Sequence, residues 1–393
     1  MLDSVVLGWV SFLILEAAMK KSIVLLGLAL MLLSGCPNYP PSTYPYNALL
    51  WNRENVSADN GKVDTGPWFE WWYYKVILPD TGESFYFLYG VINPWDTAGT
   101  DPASRAYVGF GSFAEGITVT QNYAVADFQG SYGQTDVTIA DQRAVRGGIA
   151  GHVFDGVTNA SWNISIDTQW DFNAMGWTMF LPDLTNIAWY PAQAAALFSG
   201  TVVLNGKTYT FANVPGYQDR NWGRSFPDWW AWITANHFEG HPDTALAAGG
   251  GRPTVFGLFE PLEGLDIGLL HDGIEYNWRP SDGDLQQFTI DFGTWKVQSV
   301  NRDGYMIEIE AKAPCDSFMD LIFQTPQNVL FHDFETLTGS LTLRLYKLQG
   351  LQYRLVETLQ SDFAGIEYGS ATTTAMDCHE ADAKVLYDNF PAR

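Results

Sequence analysis

Apolar residues recur along this chain with a period of two or in short unbroken runs, and turn residues separate the runs. A strand puts successive side chains on opposite faces, so both patterns read as β-structure. In the first half such runs occupy Trp68–Leu78, Ser84–Ile92, Ala106–Phe113, Ile117–Phe128, Val137–Ala140, Ser161–Asp167, Gly200–Leu204 and Lys207–Phe211. In the second they occupy Trp229–Phe238, Val255–Phe259, Leu265–His271, Ile274–Trp278, Phe288–Phe292, Thr294–Val300, Tyr305–Ala311, Phe318–Phe323, Gly339–Leu348 and Gln352–Leu359. Asn205-Gly206, Asp272-Gly273 and Asp303-Gly304 signpost hairpins, because these residues tolerate the positive φ of type I′ turns. Helical periods are short; only Pro191–Phe198 and the tail near Ala381–Tyr387 allow short helices. Many antiparallel strands without βαβ alternation predict an all-β protein of barrels or sandwiches. The length allows about two domains, with a boundary expected near Phe211–Tyr217.

The stretch from Tyr217 to Phe238 concentrates the candidate chemistry. It opens polar with Asp219-Arg220-Asn221-Trp222, turns at Gly223 and Pro227, and then runs extended with tryptophan at 229, 230 and 232. On a strand Trp230, Trp232, Thr234, Asn236 and Phe238 share one face. An aromatic surface carrying one amide suits a pocket for a bulky apolar molecule, with a few polar groups to orient it; a tryptophan-rich core beside a surface ion pair is the alternative. Upstream, Trp68, Glu70, Trp72 and Tyr74 share a face. A carboxylate among tryptophans either pairs with a cation such as Arg220 or Lys75, or keeps its proton through desolvation. In the second state it is a general acid. Lys75, on the opposite face, reads as a solvated strand end. Asp219 is the other candidate acid, or a local ion pair closing a loop.

Asn221-Trp222-Gly223, Phe226-Pro227, Trp230, Trp232, Asn236 and Phe238-Glu239-Gly240 resemble the signature stretch of the tocopherol cyclase family. So do Phe69-Glu70, Trp72-Tyr73 and Lys75, and the similarity runs in order through Ala248–Gly251, Asp272-Gly273, Glu308–Ala311 and Glu357-Thr358 to Ile366-Glu367. It covers roughly residues 64–370. The resemblance implies two lipocalin-like β halves, 64–215 and 216–370, packed together. It also implies a cofactor-free ring closure: an acid protonates the alkene of a prenylated hydroquinone, and the phenol oxygen captures the cation. Glu70 and Asp219 are then the candidate acids, Trp72, Trp222, Trp230 and Trp232 the walls, and Asn221 and Asn236 polar members of the lining. Trp71 stands where relatives usually carry glycine, and Trp229 and His237 have no clear counterpart. A non-catalytic lipophile carrier, other alkene chemistry of the carotenoid hydratase kind, cycloaddition, and an aromatic sugar-binding surface are the competing readings.

Composition narrows the partners. Hydrophobic residues make up 47% of the chain and charged residues 17%, enough for a sizeable core, and the net charge is −23. An acidic body repels phosphate backbones, so nucleic acid is not an expected partner. Met19-Lys20-Lys21, the apolar run Ile23–Leu33 and Leu33-Ser34-Gly35-Cys36 read as a lipoprotein signal within residues 1–36, with acylation at Cys36 and residues 1–18 an early start. A proline- and tyrosine-rich tether (37–63) and a polar tail (371–393) flank the body. This places the protein outside the cytoplasm, membrane-anchored and facing the periplasm or the cell exterior. Cys315 and Cys378 are then free to pair in an oxidising compartment. No cofactor and no metal site is expected: the six histidines are scattered and Cys378-His379-Glu380 lies in the tail. Gly249-Gly250-Gly251 lacks a strand–turn–helix setting and reads as a loop, not a nucleotide cradle.

Overall fold

A computed structural model describes residues 65–131, 134–180, 184–255, 263–371 and 385–390. The expected signal segment, Cys36, the tether, Cys378 and most of the tail lie outside these residues. The first sheet contains β1 (Phe69–Leu78), β2 (Glu83–Ile92), β3 (Arg105–Ser112), β4 (Ile117–Tyr123), β5 (Phe128–Gly130), β6 (Asp136–Ile139), β7 (Gln142–Val145), β8 (Gly148–Phe154), β9 (Asn159–Trp170), β10 (Ile187–Leu204) and β11 (Lys207–Gly223). Its strand order is β4-β3-β2-β1-β11-β10-β9-β8-β7-β6-β5. The second sheet contains β12 (Trp229–Ala235), β13 (Ala245–Gly251), β14 (Gly264–His271), β15 (Ile274–Trp278), β16 (Leu285–Asp291), β17 (Thr294–Val300), β18 (Tyr305–Lys312), β19 (Met319–Gln324), β20 (Leu330–Gln349), β21 (Gln352–Ser370) and β22 (Val385–Asp388). There the order is β15-β14-β13-β12-β21-β20-β18-β17-β16-β22, with β19 on the first part of β20. The protein is all-β, as its alternation predicts: both sheets are antiparallel and curled, nearly closed. β3 and β4 fold back to touch β8.

Alternation decides three cores. Trp72, Tyr74 and Val76 of β1 join Phe85, Phe87, Phe110 and Trp162 inside the first sheet. Trp229, Ala231 and Ile233 of β12 join Ile267, Trp278, Trp295 and Leu343 inside the second. The opposite faces of the same strands meet one another. Phe69, Trp71 and Tyr73 pack with Tyr217, Phe226, Trp232, Ala247 and Phe331 in a seam between the sheets.

Several local expectations are corrected. Pro191–Phe198 is strand, part of β10, because pairing with β9 and β11 overrides the helix preference of its alanines. Pro191 is tolerated where the register slips between Tyr190 and Gln193, so its missing N–H interrupts no ladder there. Val385–Asp388 pairs with β16 and is not helical. Gly249–Gly251 is strand β13, not a loop; small residues let the first sheet approach, and a Cβ on Gly249 would lie 3.0 Å from the Trp189 ring. Asn205-Gly206 and Asp272-Gly273 turn with both residues at positive φ. The Asp303-Gly304 turn is wider, closed by Asn301 and Tyr305, with only Gly304 (φ 75°) left-handed. β11 runs on to Gly223, so the passage between sheets is the short link after it and not Phe211–Tyr217. Cys315 is disulfide-bonded.

Candidate functional site

The two candidate acids lie on opposite sides of one sheet. Glu70 opposes Trp222, and Trp72 opposes Arg220, across the β1–β11 ladder. These four side chains point into the first sheet. Arg220 Nη2 donates to Glu70 Oε2 at 2.5 Å, and Trp68 Nε1 donates to Glu70 Oε1 at 3.0 Å. The guanidinium lies between the Trp72 and Trp222 rings, at 5.2 and 4.7 Å. Burial pulls the Arg220 pKa down to about 10, and the Glu70 charge opposes this. Trp72 is fully buried in the first core, and Trp222 packs with Tyr190 and Ala192. Glu70 therefore holds a closed ion pair, and Trp72 and Trp222 are packed around it.

Asp219, Trp230, Trp232 and Asn236 instead face the seam. Asp219 Oδ2 accepts from Trp189 Nε1 at 2.7 Å and from Tyr217 Oη at 2.8 Å. Desolvation pushes its pKa up to about 7, against the pull of these donors and of Lys75. Trp232 Nε1 donates to Tyr217 Oη at 3.1 Å, and Asn236 Nδ2 reaches the Gly216 carbonyl. The indoles lie flat because the strand beneath them lacks side chains: a Cβ on Gly365 of β21 would collide with Trp232, and one on Gly369 with Trp230. Asn221 also lies on this face, half-buried, in register with Trp71 and Trp189.

Lys75 is not a solvated strand end. It is fully buried, 5.1 Å from the Trp232 ring centre and 5.7 Å from that of Tyr217, and burial lowers its pKa to about 7. Lys75 Nζ, Asp219 Oδ1, Thr234 Oγ1 and Asn236 Oδ1 are buried without hydrogen-bond partners. Buried polar atoms are normally satisfied, so such a group of exceptions points to function.

The second sheet adds acids that are not among the candidates expected from the sequence. Asp333 and Glu335 of β20 and Glu367 of β21 bring carboxylate oxygens within 4.8 Å of one another. Desolvation raises all three pKa values well above the carboxylate range, and repulsion from a neighbouring acid adds to each: from Glu335 on Asp333, from Glu367 on Glu335 and from Asp333 on Glu367. Like charges this close in a dry place share protons instead of ionising together. Trp230 Nε1 donates to Asp333 Oδ1 at 3.0 Å, and Tyr73 Oη donates to Glu335 Oε1. Phe331, Asp333, Glu335 and Leu337 alternate on one face, and acids within such a pattern are the available signal. Asp266 of β14 is a further missed acid, its pKa raised by desolvation to about 8.

Tyr73 connects this cluster to open space. A cleft of about 220 Å³ lies between β2–β4 and β19, lined by Tyr73, Tyr86, Tyr107, Phe323 and the polar Thr118 and Asn122. Behind it Trp71 lies tilted against Phe323 (5.1 Å) and Trp230 stacks on Phe331 (4.2 Å). Protonated acids, one buried amine and aromatic faces can together deliver a proton, hold a cation and take the proton back. Three carboxylates could also hold a hard cation such as Ca²⁺.

Comparison with known proteins assigns the family. The chain is 26% identical over 297 residues to a probable chloroplastic tocopherol cyclase of Oryza sativa subsp. japonica, covering 62% of this chain and 63% of that one. It is 25% identical over 358 residues to the chloroplastic tocopherol cyclase of Zea mays, covering 77% and 75%. Among solved structures, kievitone hydratase from Nectria haematococca aligns over 84% of this chain and 98% of its own (TM-score 0.48, 12% identity). CghA aligns over 79% and 90% (TM-score 0.47, 10% identity). The family model for tocopherol cyclase-like proteins matches residues 140–370, more than half of the 393 residues, and the chain belongs to that family.

Proposed function

We propose that the protein closes a ring on a prenylated hydroquinone, or a similar isoprenoid phenol, by protonating its alkene at the seam. The observation that carries this reading is the Tyr73–Glu335 contact. It joins a cluster of acids that keep their protons to a cleft walled by aromatic rings. At rest Tyr73 Oη donates to Glu335 Oε1; in the step the bond reverses, so that protonated Glu335 donates from Oε1 to Tyr73 Oη while Tyr73 passes its own proton to the alkene carbon. The π bond supplies the electrons of the new C–H bond and leaves a tertiary cation. The ring faces of Tyr73, Tyr86 and Phe323 stabilise that cation, by ~0.5–2 kcal/mol each when desolvated. The substrate phenol oxygen attacks it, forming the C–O bond, and the phenolic proton returns to the carboxylate cluster. No redox equivalent is consumed. Thr118 and Asn122 are placed to orient the ring. The cleft is smaller than the ~300–1,000 Å³ usual for a drug-sized ligand, so it takes the reacting end and leaves the prenyl tail outside. An acyl group on Cys36 would hold the enzyme beside the membrane that supplies such a substrate.

The test is incubation with a prenylated hydroquinone in D₂O. The chromanol is expected to carry one deuterium at the former alkene carbon, read by mass spectrometry. Tyr73→Phe and Glu335→Gln should each lower kcat by ~10²–10⁴, the range of a positioned general acid. Quantitative recovery of unchanged, tightly bound substrate would replace this reading with that of a carrier.

A further inference from the structure

We propose that His241, His271, Asp272 and Glu357 form a binding site for a divalent transition ion of the zinc type at one rim of the second sheet. This goes beyond the ring-closure reading and does not depend on it. The residues come from three segments distant in sequence, which is why their spacing shows no metal motif. His241 sits in the link between β12 and β13, held by its N–H to the Phe238 carbonyl (3.1 Å) and by the Glu239 N–H to Gln360 O of β21 (2.9 Å). His271 ends β14, Asp272 begins the following turn, and Glu357 lies on β21.

Their donor atoms converge. His271 Nε2 lies 3.1 Å from Glu357 Oε2 and 3.7 Å from Asp272 Oδ2, and His241 Nε2 lies 3.7 Å from Glu357 Oε1. The two imidazole centroids are 5.5 Å apart. Around a tetrahedral ion with bonds of ~2.0–2.1 Å, neighbouring ligand atoms sit about 3.3 Å apart. The observed separations bracket that value. Two neutral imidazoles and two carboxylates also balance the charge of a dication. Imidazole nitrogen with carboxylate oxygen suits zinc and its neighbours better than the all-oxygen ions.

The surroundings are built for ligation. His271 is buried, and its Nδ1 meets the buried Thr244 hydroxyl at 2.8 Å. Metal-bound histidines characteristically engage a partner through the second ring nitrogen. A hydroxyl serves both states: it donates to Nδ1 when Nε2 carries the proton, and accepts from Nδ1–H when Nε2 binds metal. His241 and Glu357 are partly exposed and Asp272 mostly so, leaving a route for the ion. Bound there, the ion ties the β12–β13 link and the β14–β15 turn to β21.

The experiment titrates the full-length, chelator-treated chain with Zn²⁺ by calorimetry and with Co²⁺ by visible absorption. One Zn²⁺ per chain is expected to bind at micromolar concentration. Co²⁺ should give the bands of four-coordinate nitrogen–oxygen ligation with no thiolate charge-transfer band. His241→Ala and Glu357→Gln each sit at partly exposed positions, and each should weaken Zn²⁺ at least tenfold. His379→Ala, in the tail, should change nothing. The Tm of the parent chain should rise with Zn²⁺, and those of the two weakened variants should not. Absence of stoichiometric binding, equal affinity in the variants, or loss of binding in His379→Ala would each overturn the proposal.

Discussion

Replacing Asp219 with asparagine should make the protein more stable, and the gain should depend on pH in a defined way. Asp219 is buried, and desolvation moves its pKa from an ordinary 3.8 to about 7. Between these values the unfolded chain has lost a proton that the folded chain keeps. Stability therefore falls as pH rises through this window, by about 1.4 kcal/mol per pH unit. Above about pH 7 both states are ionised and the full cost, roughly 4 kcal/mol, is present. The Asp219→Asn variant has no such dependence. Its amide can still accept from Trp189 and Tyr217, and its NH₂ would replace Oδ1, which has no partner. That unpaired donor costs about 1–3 kcal/mol at every pH, as a protonated carboxyl oxygen there would, so it leaves the slope untouched. Urea unfolding of both proteins at a series of pH values from 4 to 8 measures the difference. The variant should match the parent near pH 4 and exceed it by a few kcal/mol at pH 8. A difference that stays flat with pH would refute the claim that Asp219 is held neutral by the seam.

Glu70→Gln should lower stability by about 3–5 kcal/mol, since Arg220 would be left as a buried charge without its partner; the folded fraction should keep its kcat, measured by ring closure after correction for unfolded protein. A collapse of kcat with the fold intact would return Glu70 to the acids. Lys75→Met should stabilise the protein at neutral pH, because the amine is unpartnered and its pKa falls from 10.5 to about 7 on burial. The cost of burying it is fully present below about pH 7, where both states are charged, and fades as pH approaches 10.5. Chemical denaturation at pH 7 and pH 10 should show a gain at the first, up to ~4 kcal/mol, and little at the second. Lys75 and Asp219 titrate in the same range and attract one another, so the gains from the two substitutions should not add.

Alternation along the strands carries most of the fold. It separates Trp72 and Tyr74 from Trp71 and Tyr73, and Trp229 and Ile233 from Trp230 and Trp232, as the cores do. Period two assigns residues to faces but does not say which face of one strand meets which face of another. Glu70 and Asp219 are thus drawn toward one pocket although a sheet lies between them. Lys75 reads as solvated because nothing in its own strand reveals that a second sheet covers it. Pro191–Phe198 misleads for a local reason, since alanines favour helix until two neighbouring strands bind them. Glu335 and Glu367 become partners through the β20–β21 ladder, where they are directly opposite. Such a pairing is a tertiary fact, invisible to a window sliding along the sequence.

The position of the acids follows from how two curled sheets pack. Each sheet closes on its own apolar face, so that face is filled with tightly packed rings and aliphatic chains and has no room for a polar substrate. The outward faces can carry tyrosine, lysine and carboxylates without penalty while they remain wet. Where β1 and β11 meet β12, β20 and β21, those outward residues lose water together. Docking of the halves, and not folding of either one, then supplies the desolvation that raises Asp219, Asp333, Glu335 and Glu367 and lowers Lys75. Such a seam is chemically useful because its acids hold protons beside aromatic faces at a pH where exposed carboxyls have long since ionised. It is also a source of instability, which the closed Glu70–Arg220 pair and the three apolar cores must offset. The stabilising effect of Asp219→Asn and Lys75→Met is the direct consequence: the groups that equip the seam for proton transfer are the ones the fold would be more stable without.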